Sequence, residues 1–168
     1  MMSGTAQTSD VLVWNCSSEG LASGLVTALS GAATAYHEQT GRPLRITSGR
    51  RTLYHQATLM ADFTQAQLEG MYCRNGYPSY IRELVAHRKA HGTLTPADAY
   101  RILSRRTEGY ISSHLYGGAV DIGTNGLNVP LAKELLTARG FRVLDERSLG
   151  VYCLHATYRH APVRIVRQ

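Results

Sequence analysis

Apolar positions near the start of the chain follow helical spacing, after a short apolar segment at residues 11–14. The apolar positions of this helix are Leu21, Leu25, Val26 and Leu29. Ser17 or Ser18 is its expected N-terminal cap, and Gly41 is its expected end. The pattern therefore predicts one long amphipathic helix in the first quarter of the chain.

Further along, the pattern predicts a strand over residues 44–47 and a helix over 52–63. Residues 66–107 look mostly helical, with starts at Pro78-Ser79 and Thr95-Pro96. A last helix over 128–139 has an asparagine cap. The later predicted strands are 110–122, 141–144, 151–158 and 163–166. Helices followed by hairpin-like strands favour an α+β fold, with helices packed on a small, largely antiparallel sheet.

Composition fits an ordinary globular protein, because 43% of the residues are hydrophobic and 18% are charged. The 168 residues suit a single domain, and no apolar stretch is long enough to span a bilayer. Residues 1–10 lack the layout of a signal peptide, so we expect synthesis in the cytoplasm. Three widely spaced cysteines predict buried thiols and no disulfide framework.

The net charge of +6 fits an anionic partner such as nucleic acid, a membrane or a wall polymer. The basic residues cluster at Arg101, Arg105 and Arg106, and at His87, Arg88, Lys89 and His91. We interpret both clusters as solvated helix faces and expect no nucleic-acid partner. His87 and His91 have the spacing of a metal pair on a helix, but no acidic third ligand accompanies them in the sequence.

The clearest candidate chemistry lies between His114 and Asp121, which are seven residues apart. On an uninterrupted strand this odd separation would put them on opposite faces. Gly117-Gly118 permits a bend that brings both to one point. An imidazole and a carboxylate suit zinc, and a third protein ligand leaves one position for water.

The third ligand is expected from a predicted C-terminal strand. Alternation puts four side chains on one face of it, namely Val151, Cys153, His155 and Thr157. His155 is the preferred candidate, with His160 as the second choice and Cys153 more typical of a structural thiol.

The run Ser112-Ser-His-Leu-Tyr-Gly-Gly-Ala-Val-Asp121 resembles the S-x-H-x-x-G-x-A-x-D signature of the D-Ala-D-Ala carboxypeptidase family of zinc peptidases. That family includes vancomycin-resistance dipeptidases, phage L-alanyl-D-glutamate endolysins and the hedgehog signalling domain. Upstream, Ser48-Gly-Arg-Arg51 with Gln56 is similar to the family segment S-G-Y-R-x-x-x-x-Q, with Arg50 in place of the tyrosine. The resemblance covers roughly residue 44 to the C-terminus.

The resemblance implies a hedgehog/DD-peptidase-like fold over residues 1–168, with 64–107 as a helical insertion. It also implies Zn²⁺ on His114, Asp121 and His155. Arg51 would bind substrate and stabilise the polarised carbonyl, since a planar cation supports a developing oxyanion. Ser113 and Tyr116 are assigned to substrate contact. Tyr116 and Tyr110 flank the loop and line either the cleft or the core.

The family pattern does not identify a general base in this sequence. The family places an acid three residues before the last histidine or two residues after it, and here those positions hold Tyr152 and Thr157. Glu146 is the tentative base, and Asp145, Glu108 or a histidine are the alternatives. A nearby base typically contributes roughly 10² to 10⁴ in rate.

The sequence thus predicts a zinc peptidase that hydrolyses a D-amino-acid-containing bond in peptidoglycan stem peptides, as a carboxypeptidase or an endopeptidase. We expect a monomer that reaches the wall by phage delivery or by a non-standard secretion route. The alternative is an inactive, zinc-stabilised domain that binds wall fragments or a protein. Nucleic-acid binding through the basic helices is a third hypothesis.

Overall fold

The computed structural model describes residues 8–107 and 111–168. In chain order the elements are β1 (Leu12–Trp14), α1 (Ser23–Thr40), β2 (Leu44–Ser48), α2 (Leu53–Asp62), α3 (Gln65–Tyr72), α4 (Ser79–His91), α5 (Pro96–Ser104), β3 (Ala119–Gly123), α6 (Val129–Thr137), β4 (Phe141–Asp145) and β5 (Cys153–Tyr158). The chain divides into two compact units. The single domain over residues 1–168 and the insertion at 64–107 stay predictions.

The first unit comprises Met1–Arg50 and Tyr116–Val163 and contains the sheet. The strand order is β1-β2-β3-β5-β4. Among the strands of the described residues, only β1 and β2 pair in parallel, and the other three pairs are antiparallel. An α+β fold with a small, largely antiparallel sheet is therefore confirmed. Its apolar core draws on α1, α6 and one face of the sheet, where Val120, Ile122, Leu154 and Ala156 are fully buried.

Helix α1 ends as expected, because Gly41 adopts a left-handed conformation with φ of 72°. Its start differs from the prediction. The N-cap is Ala22, without a side-chain cap, so capping by Ser17 or Ser18 is wrong. The chain turns earlier at Gly20, and the Ala22 amide donates to the carbonyl of Gly117. These backbone contacts delay the helix by one turn.

The second unit comprises Arg51–Leu115 and Arg164–Gln168 and contains α2 to α5. The predicted helical character of residues 66–107 is confirmed, including the starts at Ser79 and Pro96. Three of the four helices begin at a threonine whose hydroxyl accepts a backbone N–H, namely Thr52, Thr64 and Thr95. Their apolar faces share one core.

Two strand predictions are wrong. Within the described part of residues 110–122, only 119–122 belongs to a strand, and residues 113–117 form turns; Tyr110 lies outside the described residues, as does Glu108. Residues 163–166 form no strand, because the Val166 carbonyl accepts from the guanidinium of Arg106 and Val163 is 62% exposed. Arg106 is buried, so it does not belong to a solvated helix face.

None of the three cysteines is in a disulfide, as expected, but only Cys153 is buried. Cys16 and Cys73 are partly exposed, which corrects the prediction of three buried thiols. None of the described helices is both long and apolar enough to cross a membrane.

Candidate metal centre

Asp121 and His155, two of the three predicted metal ligands, lie on the face of the sheet that points away from the apolar core. Asp121 in β3 is directly opposite His155 in β5, and opposed residues of an antiparallel pair share a face. Leu154 and Ala156 point into the core, so Cys153, His155 and Thr157 occupy the other face by alternation. The alternation predicted for these three residues is therefore confirmed.

The bend before β3 depends on two glycines. Gly117 has φ of 75°, and a Cβ there would lie 2.1 Å from the carbonyl oxygen of Gly20. A Cβ on Gly118 would lie 2.2 Å from the ring of Tyr116. Both positions therefore exclude a side chain, which is the physical basis of the predicted bend. Tyr116 is 8% exposed and its ring packs over Gly118.

The serine assignment needs a correction of one residue. In S-x-H the serine stands two positions before the histidine, so Ser112 occupies that place and Ser113 the variable one. The Ser112 hydroxyl accepts from the backbone N–H of His114 at 3.2 Å, which fixes the turn locally. Ser113 is buried.

His114, Asp121 and His155 each offer a ligand atom, and these atoms all lie within 4.8 Å of one another. His114 and Asp121 are almost fully buried, and the His155 side chain is 20% exposed. Two imidazoles and one carboxylate are a donor set that zinc accepts, with one position left for water. The group could therefore hold a metal ion. A buried carboxylate also needs such compensation.

Both ring nitrogens of His155 have a close polar neighbour. Nδ1 lies 3.2 Å from Oδ1 of Asp121, and Nε2 lies 3.1 Å from Oγ1 of Thr157. A histidine ligand usually donates its second ring N–H to such an outer acceptor. Thr157 therefore suits that role. The i, i+2 spacing on one strand face is the sequence signal that points to it.

Of the two adjacent acids, Glu146 faces the site. Its backbone N–H donates to the Cys153 carbonyl, which places it beside Cys153 beyond the end of β4. The Cys153 thiol donates to Glu146 Oε1 at 3.3 Å, and Glu146 offers an oxygen within 4.8 Å of the ligand atom of Asp121. Asp145 is instead bound by Arg147 at 2.6 Å. Hydrogen bonds from Arg147 lower the pKa of Asp145.

Arg51 is held by contacts within the second unit. Its backbone N–H donates to the carbonyl of His114 at 3.1 Å. Its guanidinium donates to Oε1 of Gln56 at 3.2 Å, and the amide of Gln56 donates to the Tyr72 hydroxyl at 2.7 Å. Gln56 is completely buried, so it orients Arg51 from within the fold.

The other histidine candidates lie elsewhere. His87 Nε2 is 3.2 Å from a carboxylate oxygen of Asp98. Asp98 comes from the next helix, which sequence spacing could not reveal. The His160 ring packs beside Gly140. Among the described residues, neither set belongs to a three-ligand group.

Cys16 lies close enough to Asp121 for the carboxylate charge to affect the pKa of its thiol. Burial and the negative charge of Asp121 both raise the pKa of the Cys16 thiol, with burial the larger cause. Cys16 therefore stays a neutral thiol at neutral pH.

No family model, no curated protein and no solved structure matches the chain.

Proposed function

We propose that the protein is a zinc-dependent peptidase of hedgehog/DD-peptidase type that cuts a D-amino-acid-containing bond in peptidoglycan stem peptides. The observation that carries the proposal is the group of His114, Asp121 and His155, of which the first two are buried, with a further carboxylate from Glu146 beside it. A three-residue nitrogen and oxygen donor set with a nearby acid is what metal-assisted hydrolysis needs.

Each residue has a separate task in this proposal. Zinc on the three ligands would polarise the scissile carbonyl and lower the pKa of bound water. Glu146, half-buried and close to Asp121, accepts a proton from the attacking water and passes it to the leaving amine. Thr157 keeps the His155 ring in the orientation that turns Nδ1 toward Asp121, from which His155 would hold the ion.

The substrate class comes from the family resemblance together with Arg51. Gln56 fixes the Arg51 guanidinium, so little side-chain entropy is lost when it binds a carbonyl or carboxylate. Stem peptides present both groups around their D-residues. Tyr116 is a buried side chain of the loop, and its predicted role in substrate contact belongs to the same proposal. Ser113 holds the variable position of the motif and is given no role in it.

The test is hydrolysis of purified muropeptides by the zinc-loaded chain, with and without a chelator. We expect cleavage that the chelator abolishes. Glu146→Gln should lower kcat by roughly 10² to 10⁴ while the zinc on His114, Asp121 and His155 is retained. Glu134→Gln, on the exposed side of α6, is the matched control and should cleave normally. Binding of one zinc ion without any cleavage would refute the enzyme proposal.

A second candidate is a zinc-stabilised domain that binds wall fragments or a protein without hydrolysis. The observation in its favour is Tyr152, which replaces the family's acid and is 78% exposed. Zinc would then support folding only. In that case Glu146→Gln would leave fragment binding unchanged, whereas loss of zinc would remove both binding and stability.

The nucleic-acid hypothesis depends on free cations, and the arginines of the α5 region have partners. Arg101 pairs with Asp98, Arg105 pairs with Glu83, and Arg106 is buried. Binding to DNA or RNA that weakens steeply with salt would revive this hypothesis.

A further inference from the structure

The second feature of the site is a further group of three donors around Asp121. Cys153 Sγ, an oxygen of Glu146 and an oxygen of Asp121 all lie within 4.8 Å of one another. Asp121 thus belongs to two three-residue groups at once. The second group contains no histidine and is built within the first unit alone.

The backbone explains why these three side chains converge. Cys153 begins β5, and Glu146 continues the β4–β5 pairing beside it through its N–H bond to the Cys153 carbonyl. In β3, the residue that pairs with Cys153 is Gly123, which has no side chain. The neighbouring position on the same face of β3 is Asp121.

We propose that Cys153, Glu146 and Asp121 form a second cation site, selective for a thiophilic divalent ion such as Zn²⁺ or Cd²⁺. A thiolate with two carboxylates selects such ions over Mg²⁺ or Ca²⁺. Ligand atoms around a tetrahedral zinc, at about 2.0 to 2.3 Å from the metal, are roughly 3.5 Å apart. The Cys153–Glu146 separation of 3.3 Å is already close to that spacing.

Charge favours the same conclusion. Two carboxylates beside a thiol repel one another, and a divalent cation removes that repulsion. Glu146 is partly exposed, which provides an entry path and the freedom to adjust its oxygen. The carboxylate of Asp121 has two oxygens and can bridge two ions.

One consequence rests on the proposed function. If Glu146 is the general base, an ion in the second site occupies its carboxylate, so excess zinc should inhibit hydrolysis. The site would then limit activity when the metal is abundant. Binding of the second ion itself does not depend on whether the protein is an enzyme.

The experiment is a titration of the reduced, metal-free full chain with Cd²⁺. It follows thiolate-to-cadmium absorption, and equilibrium dialysis measures stoichiometry. We expect two equivalents, one of them with thiolate absorption. Cys153→Ser and Glu146→Gln should each bind one equivalent without that absorption. Cys73→Ser removes a partly exposed thiol of the second unit and should behave like the wild type.

Two results would overturn the proposal: binding of a single equivalent by the wild type, or thiolate absorption that persists in Cys153→Ser. Circular dichroism and thermal melting check that each variant is folded, and Glu146→Gln is an independent test because that residue is partly exposed. His155→Ala separates the two sites. This variant should lose the ion that gives no thiolate absorption and keep the ion that does. The second cation site can therefore be tested even if the peptidase proposal fails.

Discussion

Replacement of Thr157 by valine tests the outer contact of the metal centre. The hydroxyl lies 3.1 Å from Nε2 of His155, while Nδ1 faces Asp121 at 3.2 Å. Valine has nearly the same shape but cannot form a hydrogen bond with Nε2. Loss of such an outer contact typically lowers metal affinity roughly 10- to 100-fold, which corresponds to about 1.4 to 2.8 kcal/mol. We expect a loss in this range for Thr157→Val.

The assay is competition for zinc with a chelator of known affinity, at fixed pH and with folding checked by circular dichroism. Thr157→Ser keeps the hydroxyl and should bind within a few-fold of wild type. The contrast between serine and valine separates the hydrogen bond from packing. Equal zinc affinity for wild type and Thr157→Val would refute the role of Thr157 in orienting His155.

Two further predictions concern backbone strain and pH. Gly41→Ala and Gly117→Ala both force alanine into a left-handed conformation, which costs about 1 to 2 kcal/mol. Gly117→Ala should be clearly the more destabilising in urea unfolding, because its Cβ also meets the Gly20 carbonyl oxygen; equal losses would contradict this. Arg147 depresses the pKa of Asp145, so the pair stabilises the fold above the ordinary aspartate pKa of about 3.9 and loses that contribution as the pH falls through the lowered value. Asp145→Asn should therefore melt closer to wild type at acidic pH than at neutral pH, and a constant difference would argue against the pair.

Local signals in the sequence were sufficient for most elements. Helix α5 begins at Thr95-Pro96 and α1 ends at Gly41 as predicted, because caps and left-handed glycines act within a few residues. The start of α1 was missed because a distant carbonyl, that of Gly117, binds the Ala22 amide. Contacts over such sequence separations leave no periodic trace.

The candidate site was predictable to the extent that it follows strand alternation and a short motif. His155 and Asp121 belong to this part, since both lie on one face of paired strands. The positions of Glu146 and Asp98 depend on pairing between separate elements, β4 with β5 and α5 with α4. Only the tertiary structure brings those carboxylates beside Cys153 and His87.

The register of β3 against β5 has a consequence for folding. Asp121 meets His155 only in the observed alignment, and a slip of one residue would turn one of the two toward the core face. An ion that binds both would favour the correct alignment over every slipped one, since binding energy is added to the native state alone. Metal supplied during refolding would then increase the fraction of molecules with correctly paired strands. The metal content of the refolded protein would report that fraction.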